Sequence, residues 1–102
     1  MINASLAAAP YVNLATFRRD GRRVETPVWA APDAQVLYVF SEARAGKVKR
    51  LKNSDTAEMA ICTVNGKLLG DWFPLKGRVL NDSEIPAALR ALHAKYGWKM
   101  RI

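Results

Sequence analysis

This chain has few of the residues that usually announce chemistry. Its 102 residues include one cysteine, Cys62, and one histidine, His93. A lone cysteine excludes an internal disulfide framework and a CxxC metal or redox site. A free thiol suits a reducing compartment such as the cytoplasm. His93 has no second ligand at metal-binding spacing, and HExxH, GxSxG, P-loop and GxGxxG motifs are all missing. Without a visible acid–base pair or triad, hydrolysis driven by side chains is disfavoured, and an enzyme built on this chain would need a bound cofactor. No apolar run approaches the roughly 18 residues of a membrane span. Residues 1–10 contain Ala7-Ala8-Ala9 but neither a positive leader nor a long apolar stretch. They read as a short N-terminal helix stopped by Pro10 rather than a signal peptide.

Acidic residues are scarce too. Nine Asp and Glu face sixteen Lys and Arg, giving a net charge of +7 and a pI near 10. That points to an anionic partner without naming it. Half the residues are hydrophobic and a quarter charged, the balance of a folded globular protein. The length allows one domain, and a chain this short buries little core, so a partner chain is expected.

Alternation predicts a strand over 11–17, with Val12, Leu14 and Thr16 on one face, and Asp20-Gly21 predicts a hairpin. The returning strand spans about 24–31, where Pro27 demands an edge, a bulge or an opening. Pro32-Asp33-Ala34 reads as a turn. Val36-Leu37-Tyr38-Val39-Phe40 reads as a central strand buried on both sides. A short helix is expected at about 46–53, with Val48 and Leu51 facing inward. Strands at about 57–64 and 68–80 flank Asn65-Gly66, with bends near Pro74 and Gly77. Asp82 and Ser83 offer cap oxygens for a helix over 83–96, in which Ile85, Leu89, Leu92 and Tyr96 share a face and Gly97 ends the run. The fold class is mainly β with short helices, and the tight turns suggest a small barrel filling 11–80.

Two basic stretches stand out. Ser41 to Arg50 leaves a strand through a turn containing Gly46 and enters a helix, where backbone N–H groups, Lys47 and Arg44 would favour a phosphate. A solvated basic connector is the plain alternative. Arg18, Arg19, Arg22 and Arg23 cluster at the first hairpin. With Trp29, Trp72 and Tyr38 in strand positions they also suit an oligonucleotide-binding barrel, although no RNP-type motif accompanies them. Trp98 is expected in the core or an interface, and Trp29, following Pro27, in the core or beside a planar ligand.

Four segments in order carry a family resemblance. They are residues 11–21 (YVNLATFRRDG), Thr26-Pro27-Val28-Trp29, Leu37-Tyr38-Val39-Phe40 and Gly46-Lys47-Val48-Lys49-Arg50-Leu51, with residues 95–101 (KYGWKMR) behind them. Together they resemble the pyridoxamine-phosphate-oxidase-like split-barrel superfamily, in its coenzyme F420-dependent oxidoreductase branch. The resemblance implies a split β-barrel that pairs as a homodimer, with a deazaflavin (coenzyme F420) or FMN in the groove between subunits. It implies that Thr26, Pro27, Val28 and Trp29 run along the cofactor ring. It gives the phosphate to Ser41 and the turn from Arg44 through Gly46 to Lys47, and sets Trp72 near the ring. It also implies hydride transfer with a small-molecule substrate; a haem- or flavin-binding protein with little catalysis is the neighbouring alternative. Ala45 departs from the pattern, since relatives commonly carry Ser there, and relatives tend to continue past Ile102 with an apolar tail.

Overall fold

The computed structural model of the chain describes residues 3–41 and 46–97. Its first element, α1, spans Ala4–Ala8. The Asn3 side chain caps it by accepting from the Ser5 and Leu6 N–H groups, and Leu6 drops into the core. Ala9 is extended, at φ −68° and ψ 137°, as a residue before proline must be.

Strand β1 (Val12–Phe17) turns through Asp20-Gly21, with Gly21 at φ +87°, into β2 (Arg23–Asp33). Strand β2 has one partner at a time. Residues 23–28 pair with β1, and Trp29–Asp33 pair with β3 (Val36–Phe40). Each half therefore has one free side among the described strands, which is how an eleven-residue strand holds both Pro27 and Pro32. Because Pro32 stays in the ladder opposite Leu37, the turn falls at Ala34–Gln35, later than the residue types predict.

Helix α2 (Gly46–Asn53) leads to β4 (Thr56–Ile61), then β5 (Phe73–Lys76), a 3-10 turn at Asp82–Glu84 and α3 (Ile85–Tyr96). The five strands form one antiparallel sheet in the order β3-β2-β1-β4-β5, curled into a half-barrel. Its concave side holds Val12, Leu14, Val28, Ala30, Ala57 and Met59, and Leu6 of α1 and Leu51 of α2 complete that core. A second cluster lies under α3, where Ala31 and Leu92 are buried with Trp29, Leu89 and Tyr96 against them.

Four expectations are corrected. Strand β3 is not central; it ends the sheet, and Val36 and Phe40 are 48% and 42% exposed. An apolar run marks a central strand only when strands flank it on both sides, and no second described strand pairs with β3. The strand expected over 68–80 is ordered as a ladder only at Phe73–Lys76. Two residues lie between Met59 of β4 and Cys62 just beyond it, whereas four lie between their partners Phe73 and Leu68, so two extra residues leave the ladder near Gly70-Asp71-Trp72. Beyond Lys76, β4 has no residue left to pair with. Ile85 is exposed, because the 3-10 turn offsets the start of α3 from the face made by Leu89, Leu92 and Tyr96. Finally, Asp82 and Ser83 do not cap this helix start. The Asn81 N–H is bound by Glu84 Oε1 at 3.1 Å, and the Ser83 hydroxyl donates to Asn81 Oδ1.

Candidate functional site

The predicted phosphate segment, Ser41 and residues 44–47, enters α2 at Gly46, the first residue of that helix. Having no side chain there lets the Arg50 guanidinium fold back over the first helical turn: a Cβ on Gly46 would lie 2.7 Å from Arg50 Nη1. Arg50 Nε donates to Thr16 Oγ1 at 2.6 Å, and Thr16 is 1% exposed. Arg50 is thus a cation of α2 fixed to the barrel. Lys47 and Ser41 are half-buried on either side of the turn. Arg44 and Ala45 lie outside the described residues, as does Trp98.

The predicted ring segment divides along β2. The Val28 side chain is buried in the concave core, while Thr26 and Pro27 are half-buried. Trp29 faces the other way, with its ring on Tyr96 and 6.4 Å from that of Phe40. Tyr96 is itself anchored. Its hydroxyl accepts from the Ala30 N–H at 3.0 Å and lies 2.8 Å from the Pro10 carbonyl, its acceptor. Beside it, Lys95 Nζ donates to the carbonyls of Ala9 and Ala30. Burial pulls the Lys95 ammonium below its ordinary range and pushes the Tyr96 phenol above its own.

On the convex face, Trp72 sits under Arg23, whose guanidinium carbon is 4.2 Å from the ring centroid. Arg23 also pairs with Glu25 and Glu58. Opposite Pro27 on β1, the buried Asn13 donates through Nδ2 to the Gly66 carbonyl, drawing the Thr63–Lys67 turn over this face. Gly66, at φ +91°, lies so close that a Cβ would come within 3.2 Å of Pro27 Cγ. Asn13 Oδ1 is buried and has no hydrogen-bond partner among the described residues.

The predicted residues therefore fall into separate neighbourhoods. Gly46 lies beside Arg50, which binds Thr16, Pro27 lies with Asn13 and Gly66, Trp29 with Tyr96, and Trp72 with Arg23. Sequence reasoning missed Arg50 as an anchored group and Asn13 as a buried amide. Neither carries a local signal, because their partners are 34 and 53 residues away. His93 is exposed and Cys62 is buried, with burial pushing its thiol pKa up. Among the described residues no group of three or more His, Cys, Asp or Glu could hold a metal ion, and no helix is long and apolar enough to cross a membrane. Comparison with family models, with curated proteins and with solved structures found no match to this chain.

Proposed function

We propose that this protein is an oxidoreductase that holds coenzyme F420, with FMN as the alternative, and passes hydride to or from a small organic substrate. The observation that carries this reading is the stretch Thr26–Val28, paired with β1 on one side and with no described strand on the other. Main-chain groups on such a free side are available to the polar rim of a flat ring. The residues fit that role with one adjustment to the sequence reading. The Trp29 ring is engaged by Tyr96 and the Val28 side chain by the core, so ring contacts fall to the main chain and to Thr26 and Pro27. Lys47 and Ser41 supply a cation and a hydroxyl suited to phosphate, and the +7 charge suits a cofactor with a phosphate and acidic tail. When bound, the deazaflavin or flavin supplies the hydride chemistry. This chain's residues bind and orient it.

The same reading makes the half-barrel a split barrel completed by a second copy. Val36 and Phe40 at one edge, and Leu68, Leu69 and Phe73 at the other, leave apolar surface exposed that a partner subunit would cover. Titrating purified protein with F420 and with FMN, followed by the fluorescence of each, tests the proposal. Saturable binding of either at micromolar protein is expected; binding of neither overturns it. Light scattering on the same sample tests the dimer.

A further inference from the structure

A hollow of about 430 Å³ opens beside the first hairpin, lined by Arg18, Arg19 and Arg50 with Phe17, Ser54 and Thr56. Its cations come from two places far apart in sequence. Arg18 and Arg19 follow directly from β1, whereas Arg50 arrives from α2 and is held in position by Thr16. None of these lining residues is acidic. The hairpin's own carboxylate, Asp20, is taken up by Arg22, binding both its main-chain N–H and its Nε. Glu25 and Glu58 are engaged by Arg23, and Asp55 faces Lys76 at 3.9 Å. Among the described residues no carboxylate pairs with Arg18, Arg19 or Arg50. Three guanidinium groups around one concavity repel each other, and no described carboxylate pairs with them there.

We infer that this hollow binds the phosphate of a small phosphorylated molecule. A carboxylate has two oxygens and is satisfied by one guanidinium fork. A terminal phosphate carries up to two charges on three oxygens and can engage several forks and hydroxyls at once. Ser54 and Thr56 contribute those hydroxyls, and Phe17 offers an apolar wall to the organic part. The volume falls within the range of small-molecule sites and exceeds what a bare phosphate fills. This inference does not depend on the cofactor reading: it concerns Arg18, Arg19 and Arg50, not Lys47, and its probe contains no flavin.

The test is calorimetric titration of the full chain with inorganic pyrophosphate at fixed ionic strength, using chloride as the blank. Saturable binding is expected, falling about tenfold or more in the double variant Arg18→Gln/Arg19→Gln and in Arg50→Lys, which keeps the charge but loses the fork. Arg18 and Arg19 are exposed, so the double variant keeps its fold; circular dichroism checks this for both. Arg90→Gln, which removes an exposed cation of α3 outside the hollow, is expected to bind as the parent does. Addition of FMN or F420 then separates two sources of the phosphate. Competition makes the hollow the seat of the cofactor's own phosphate, and independent binding makes it the seat of a different phosphorylated ligand; both support the inference. No binding above the chloride blank overturns it, as does an equal loss in Arg90→Gln, equal displacement by citrate, or binding of an oligonucleotide but not of pyrophosphate.

Discussion

Trp29 lies flat on Tyr96, with ring centroids 4.5 Å apart and 9° between the planes. The pair joins the second half of β2 to the end of α3, and the Tyr96 hydroxyl carries the connection on to Pro10, where α1 gives way to β1. One side chain thus ties three parts of the chain together at the place where β2 changes partners. Its apolar face and its hydroxyl do different work, so they can be separated by substitution.

Tyr96→Phe keeps the stacked ring and removes the hydroxyl. The Ala30 N–H, on a residue 0% exposed, then loses its partner. An unpaired buried donor costs about 1–3 kcal/mol. Urea unfolding should show a loss of that size with an unchanged slope. Tyr96→Ala should cost more, because it also uncovers Trp29.

Ala34 adopts φ +52° in the two-residue turn between β2 and β3. A Cβ in the left-handed region is strained by roughly 1–2 kcal/mol, and glycine offsets part of that relief with its own chain entropy. Ala34→Gly should therefore stabilise the protein by about 0.5–1 kcal/mol, read as a melting temperature several degrees higher. Ala34→Val should lower it.

The Arg78 guanidinium, helped by the Asn81 N–H, holds the Glu84 carboxyl at about 2 instead of 4.5. A carboxyl depressed by folding contributes stability that is fully present above pH 4.5 and is lost as pH falls from there towards 2. Denaturation midpoints measured across that interval should fall more steeply for the parent than for Glu84→Gln. Parallel curves would show that the ion pair has no effect on folding.

Lys47→Ala should weaken F420 or FMN binding by about tenfold, the worth of one charge-assisted contact. Its melting temperature should stay within about 2 °C, since Lys47 is not in either apolar cluster. Fluorescence titration and a thermal melt on one preparation give both numbers. Unchanged affinity would remove Lys47 from the site.

Much of the secondary structure was legible because its causes are local. Gly21 and Gly66 take the positive φ that Asp20-Gly21 and Asn65-Gly66 call for, and Gly97 ends α3 at φ +58°. Val12, Leu14 and Thr16 alternate as a strand should, and all three are buried. Leu89, Leu92 and Tyr96 recur at helical spacing and meet the sheet. The restriction at Pro27 was legible too. Its missing N–H required a strand that is only partly paired, and β2 is one.

Where a residue's surroundings come from distant parts of the chain, the sequence was silent. Five consecutive apolar residues made Val36–Phe40 look central, but strand rank depends on which other strands pair, and among the described strands β3 pairs only with β2. The exit of Gly70-Asp71-Trp72 from the ladder reflects a register set at both ends of β4. Charge shows the same division most clearly. Composition alone showed that this chain carries a net charge of +7, which points to an anionic partner without locating a site for it. Only the fold decided which cations stand together. Thr16 and Gly46 let Arg50 reach back to the barrel beside Arg18 and Arg19, while Asp20 and Glu58 neutralise their neighbours on the same hairpin. Coulomb energy depends on distance in space, and distance along the chain does not reveal it.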